Sequence, residues 1–189
     1  ASVLIRGTRD QVEPDGEPNS RNLPTSTLHF NVWYHLGLAR YLKGDFAGAE
    51  RAYRECLAVS RDNPDRLVAT SDWLYLTLRR QGKDAEAAAL LTPITKDLAV
   101  IENTAYWNRL LLYKGEKTAD EVRAAVSSPI DAATYGYGIA TWHLVNGRAD
   151  LARSLYEENL GTPQWPAFGV LASEAELARR RAALPPQQP

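Results

Sequence analysis

The sequence predicts an all-α fold, an α-solenoid of about four helix hairpins. Three observations carry this. Pattern-breaking glycines stand at 44, 82, 115 and 147, at spacings of 38, 33 and 32 residues, the period of stacked helix–turn–helix units. Helix-capping residues recur ahead of apolar runs. No segment alternates apolar and polar residues over β-branched positions, so no sheet is expected. One hairpin cannot bury its apolar face alone. Stacked neighbours can, and they wind into a right-handed superhelix with a concave side.

The elements follow in order. Residues 1–28 read as the end of a preceding helix plus an irregular loop. Ala1 to Gly7 resemble a last helical turn closed by glycine, so a helix is expected ahead of them. The stretch 8–26 holds Pro14, Asp15, Gly16, Pro18, Asn19 and Pro24 and cannot form a regular helix. It is expected to lie along the array, with Leu23 as an apolar anchor and its acidic residues in solvent. The array spans 29–161. Thr25 and Ser26 offer caps for a helix from about Thr27 to Lys43. Asp45 caps a second to about Ser60. Asn63-Pro64 opens a third to about Arg80, with proline at the first helical position. Apolar helices precede Gly115 and Gly147, and others follow them. Thr118-Ala119-Asp120-Glu121 is a capping box. Gly161 closes the helix after Gly147. Residues 162–189 hold a capping helix from about Ala167 to Leu184 and a proline-rich tail. In that helix Glu174 and Glu176 come early and Arg179, Arg180 and Arg181 late, matching the helix dipole.

The run Trp33-Tyr34-His35-Leu36-Gly37, the turn Gly44-Asp45-Phe46, and Ala49, Tyr53 and Cys56 resemble the tetratricopeptide repeat (TPR) family. Fainter copies keep Leu74, Gly82, Ala87, Leu91 and Ile94; Trp107 and Gly115; and Ile139, Ala140, Gly147, Ala152, Tyr156 and Leu160. The resemblance covers roughly residues 30–160. It implies that Gly37 and Ala49 sit where the two helices of a hairpin approach closely. It also implies that Trp33, Leu36, Tyr53 and Leu57 fill the space between them.

Composition excludes much. Lys+Arg is 22 and Asp+Glu is 23, a formal net charge of -1, without the cationic surplus of a generic nucleic-acid binder. No apolar run reaches the roughly 18 residues of a membrane span. The single cysteine forms no intrachain disulfide. There is no methionine, so the chain is either processed or a piece of a longer one, and a processed, extracytoplasmic chain is favoured over a cytoplasmic one. No phosphate-binding glycine loop, His-Glu-x-x-His helix or Cys-x-x-Cys pair occurs. His29, His35 and His143 stand far apart and read as packing or surface residues. Cys56 reads as a small buried hydrophobe. Glu13, Asp15 and Glu17 cluster, but their Asp-Gly pair suits a turn better than a calcium loop. No catalytic residue, metal or cofactor is expected.

The family resemblance implies that the first helix of each hairpin lines the concave groove. Alignment on the breaking glycines places Asn31, Tyr34, Leu38 and Tyr41 there, then Asp72, Leu76, Arg79 and Arg80, then Arg109, Leu112 and Tyr113, then Tyr137, Thr141 and Leu144. The binding face is expected to centre on Tyr34, Leu38, Tyr41, Arg79, Arg80, Arg109, Tyr113 and Tyr137, a composition typical of recognition surfaces. Some family members clamp a C-terminal Glu-Glu-Val-Asp. At the clamp positions this chain has Tyr34, Leu38, Trp73, Glu102 and Tyr106, none of the required type, which excludes that ligand. The expectation is a non-enzymatic module that binds a protein or peptide partner or docks in a larger complex. The alternative is the accessory part of an enzyme whose catalytic portion lies outside this chain.

Overall fold

Gly44, Gly82, Gly115 and Gly147 all take positive φ, between 71° and 81°, a conformation that residues with a Cβ seldom adopt. Each turns the chain between two helices. The computed structural model describes residues 26–183 together with 3, 5–13, 20, 22 and 24. Among them the elements are α1 (Leu28–Leu42), α2 (Phe46–Ala58), α3 (Pro64–Arg80), α4 (Asp84–Leu90), α5 (Thr104–Lys114), α6 (Ala119–Ala124), α7 (Pro129–Val145), α8 (Ala149–Leu160) and α9 (Phe168–Ala183). One isolated bridge pairs Val12 with Thr27. The chain divides into two compact units, 1–117 and 118–189. That division falls inside the third hairpin of the expected array, at neither of the domain boundaries expected from sequence.

In the first unit α1 packs on α2, α2 on α3, and α3 on both α4 and α5. The caps are chemical. Thr27, rather than Thr25 or Ser26, accepts the Phe30 N–H at the start of α1. Asp45 accepts the Gly48 N–H at 2.8 Å, and Asn63 accepts from Asp65 and Arg66 ahead of Pro64. Gly37 lets α1 and α2 close up, because a Cβ there would lie 2.7 Å from the Tyr53 ring. Helix α4 stops at Leu90, short of Pro93, which cannot continue a helix, so the repeat positions Leu91 and Ile94 lie beyond it. Leu91 and Ile94 are still buried.

Asp65 ties the far end of this unit together. Its Oδ1 accepts the backbone N–H groups of Glu102 at 2.7 Å, Asn103 at 2.8 Å and Ile101 at 3.1 Å. Asn103, the N-cap of α5, makes no side-chain capping bond of its own. A carboxylate from α3 therefore satisfies donors at the start of α5, where the helix dipole also favours negative charge.

Two packing expectations are corrected. Tyr53 and Ala49 are fully buried, but Trp33, Leu36 and Leu57 are only half-buried. The inward residues of α1 are Phe30, Tyr34, Gly37, Leu38 and Tyr41. A one-residue offset on a helix rotates a side chain by about 100°, and that separates Trp33 from Tyr34. Glu13, expected in solvent, instead accepts hydrogen bonds from Ser26 Oγ at 3.1 Å and from the Asn31 side-chain amide. Residues 10 and 11 also dock on the start of α1. The His29 N–H donates to Asp10 Oδ1 and the Leu28 N–H to the Gln11 carbonyl, both at 2.9 Å. Leu23, Asp15, Glu17 and the tail from 184 onward lie outside the described residues.

In the second unit α6 packs on α7, and α7, α8 and α9 pack on one another. Thr118 and Glu121 form the expected capping box of α6. A Cβ on Gly169 would lie 2.1 Å from the Ala133 carbonyl oxygen, so α9 crosses α7 almost backbone to backbone. Asn159 of α8 fills the seam. Its Nδ2 lies 3.2 Å from the Ala133 carbonyl, 3.1 Å from that of Gly169 and 2.9 Å from Ser173 Oγ. Val170, Ala172, Ser173, Glu176 and Leu177 are buried, which makes α9 an integral third helix.

Two outcomes are expected. Tyr53→Ala destabilises the chain by about 3–5 kcal/mol, as large aromatic truncations in cores do, and half-buried Trp33→Ala costs about half of that or less in denaturant titration. The second concerns Glu50 of α2. Burial raises its carboxyl, but hydrogen bonds from Lys83, Arg54 and Gln81 outweigh this and hold it at about 2. Its folded-state pKa is thus depressed. The stabilisation is present above the ordinary carboxyl range near 4.5 and is lost as pH falls from there towards about 2. Because Arg54 and Lys83 are partly exposed, the loss is on the order of 1 kcal/mol. Denaturant midpoints measured against pH show it in the wild type and not in Glu50→Gln.

Candidate functional site

The expected binding face is mostly closed. In the first unit, the inward sides of α1 and α3 meet side chains of α5. The Trp73 Nε1–H donates to the Tyr34 hydroxyl at 2.9 Å, and that hydroxyl donates to the Tyr106 hydroxyl at 3.1 Å. Arg109 Nη2 lies 2.8 Å from Asp72 Oδ2, both side chains at most 1% exposed, and Arg109 Nε donates to the Tyr113 hydroxyl at 3.0 Å. The Arg109 guanidinium also stands over the Tyr106 and Trp73 rings. Tyr113 stacks on Tyr75 with centroids 4.6 Å apart and 7° between planes. Tyr41 packs edge-on against Trp73.

Burial pushes the Asp72 carboxyl up to about 7, against the pull of Arg109 and the Tyr113 hydroxyl. Burial also disfavours the charged Arg109, but the Asp72 carboxylate outweighs it and raises the guanidinium further.

The sequence-derived binding residues are therefore placed as follows. Tyr34, Leu38, Tyr41, Arg109, Tyr113 and Tyr137 are buried. Tyr137 packs on Tyr156, whose hydroxyl lies 2.9 Å from Thr141 Oγ1. Arg79 and Arg80 are half-buried at the end of α3. Arg79 pairs with Asp84 at 2.7 Å and donates to the Tyr75 hydroxyl, and Arg80 lies over the Phe46 ring. These six are buried in this structure rather than displayed on an open surface. Tyrosine and arginine suit a recognition face, but they suit a buried polar–aromatic network equally well. The sequence sign was present at the clamp positions, where three large aromatics, Tyr34, Trp73 and Tyr106, replace polar residues. They bond to one another.

The remaining candidates are structural. Cys56 is buried against Thr70 and Ser60, and burial pushes its thiol up to about 11. His35 is exposed. Burial, then Arg148 and Arg123, lowers the His143 pKa, and its Nδ1 accepts from Arg148 Nε at 2.7 Å. Among the described residues no three His, Cys, Asp or Glu side chains gather as metal ligands, and no helix is long and apolar enough to cross a membrane.

Sequence reasoning missed an open groove of about 520 Å³ in the second unit. Its floor is a stripe of α7, Pro129, Ala132, Gly136 and Ile139, at the three- and four-residue spacing of one helix face. Arg123 and Val126 form one wall from the α6 side. Leu155 and Glu158 of α8 form the other, continued by Pro163. Val126 is 41% exposed, and Ile130 and Trp165 are also exposed. Ile130 and Val126 are apolar residues that the repeat pattern leaves without a core role, and that was the available signal.

Removing Arg109 by Arg109→Leu leaves the Asp72 carboxyl buried without its partner, so that it takes up a proton near neutral pH, and is expected to cost about 3–5 kcal/mol. The double variant Asp72→Leu, Arg109→Leu recovers most of this, because the stranded polar group is gone. A double-mutant cycle by chemical denaturation checks it.

The family model of the tetratricopeptide repeat matches residues 30–63. No curated protein and no solved structure gives a match. The matched stretch is α1, α2 and the loop to α3, the hairpin closed by Gly37 against Tyr53 and turned by Gly44. Residues 30–63 are therefore similar to one tetratricopeptide repeat, set in a chain whose named elements, among the described residues, are helices.

Proposed function

We propose that this chain is a non-enzymatic protein–protein interaction module that takes an apolar segment of a partner into the α6–α7–α8 groove. A tetratricopeptide repeat suggests a protein partner. The observation that carries the finer reading is the groove itself. It is largely apolar, open to solvent, and lined in part by Val126, an exposed apolar side chain. Charged residues at its rim, Arg123 and Glu158, set orientation more than affinity. Of the binding face expected from sequence, Arg79 and Arg80 are the members still partly open to a partner.

The test uses Val126→Asp, a substitution at an exposed position that leaves the core alone. Partners are captured on the immobilised wild-type chain, identified, and titrated against both forms. A loss of about tenfold or more in affinity, roughly 1.4 kcal/mol, supports the groove. Equal affinity of every captured partner for both forms overturns it.

A further inference from the structure

A second groove, of about 370 Å³, is lined by α1 and α2 of the first unit. From α1 come Trp33, Leu36 and Arg40, at three- and four-residue spacing and apart from the inward stripe that holds Tyr34 and Tyr41. Trp33 is the residue expected between the helices and found half-buried instead. From α2 comes Ala52, with the exposed Arg51 and Glu55 beside it. The polar groups around this apolar floor are mostly N–H donors. Among the described residues Arg51 makes no ion pair, and the Trp33 indole N–H has no hydrogen-bond partner. Arg40 donates from Nη1 to Asp45 Oδ2 at 3.2 Å. Its guanidinium is held in place, since Asp45 also caps α2 and a Cβ on Gly48 would collide with it. Arg54, which also lines the groove, is already matched to Glu50 and Glu86. The uncommitted lining is therefore two guanidiniums and an indole N–H against the single carboxylate of Glu55, and its complement in charge is acidic.

We propose that the α1–α2 groove is a second docking site, for an acidic peptide segment of a partner protein. One large apolar side chain of that segment rests on Trp33 and Leu36, and its carboxylates meet Arg40 and Arg51. The volume is at the lower end of the range for pockets that hold small ligands, about 300–1,000 Å³, so the site takes a few side chains and not a whole helix. An exposed arginine adds little affinity by itself. The apolar contact supplies most of the binding, and the guanidiniums select acidic over basic segments. This site goes beyond the α6–α7–α8 groove and stands independently of it.

The experiment selects a phage-displayed library of random linear peptides on the immobilised full chain. Enriched peptides are synthesised and titrated by fluorescence anisotropy. They are expected to combine Asp or Glu with a large apolar residue. Arg51→Glu is expected to weaken their binding about tenfold or more. Glu55→Arg is expected to strengthen it, and Val126→Asp in the other groove to leave it unchanged. Arg51 and Glu55 are exposed, and circular dichroism checks that the variants stay folded. The proposal is overturned if no acidic peptide with a large apolar residue is enriched. It is also overturned if such peptides bind Arg51→Glu as tightly as the wild type, or Glu55→Arg no more tightly. If they lose affinity for Val126→Asp and not for Arg51→Glu, this site falls and the α6–α7–α8 groove stands. If Arg51→Glu loses them while Val126→Asp changes no captured partner, this site stands and the other falls.

Discussion

The first unit depends on enclosing α3 on all sides, and the ion pair between Asp72 and Arg109 lies fully buried within that enclosure. That pair joins α3 to α5 directly, past a second hairpin whose own second helix has only seven residues. Such a short helix leaves the inner face of α3 uncovered, and α5 covers it. From Val68 to Leu78 every residue of α3 is buried. A helix enclosed on all sides must satisfy its polar groups internally. Trp73 does so with Tyr34 and Asp65 with the backbone at the start of α5, while Asp72 is held by its charge pairing with Arg109. The pair is held as one part of a connected network, which is the setting in which a buried charge is tolerated.

That network decides which side chains of α1, α3 and α5 are closed to solvent. Large aromatics at Tyr34, Trp73 and Tyr106 convert the inner surface of α1, α3 and α5 from a groove into a core. In the second unit the corresponding face of α7 is taken by α8 and α9, with Tyr137 against Tyr156. On α7 the residues left partly open are Pro129, Ala132 and Gly136 of the other stripe, between a six-residue helix and α8. Because α6 is short, it shields little of that stripe. The groove is thus a consequence of helix length, as the closed face of the first unit is a consequence of α4.

Legibility followed the range of the interaction. Asp45, Asn63 and the Thr118–Glu121 box act within one helical turn, and each caps the helix that the sequence assigned to it. Thr27 displaced Thr25 and Ser26 by one or two residues, a shift set by how residues 10–13 lie on α1. Gly37 and Tyr53 were legible as a close contact because the repeat pattern specifies both partners. Trp33 was expected between the helices and Tyr34 on the concave face, yet Tyr34 is the more buried, since both are large aromatics one residue apart and only the packed neighbours choose which points inward.

The sequence by itself determined the helical pattern, the caps at Asp45, Asn63 and Thr118, the turns at Gly44, Gly82, Gly115 and Gly147, and the helical-repeat class. All of these follow from backbone preferences and spacings of a few residues. Only the tertiary structure decided which tyrosines and arginines face a neighbour and which face water. That choice depends on contacts such as Tyr34 with Tyr106 and Asp72 with Arg109, which join residues 72 and 37 positions apart. At that separation no local preference acts, and the fit of whole helices against one another sets the outcome.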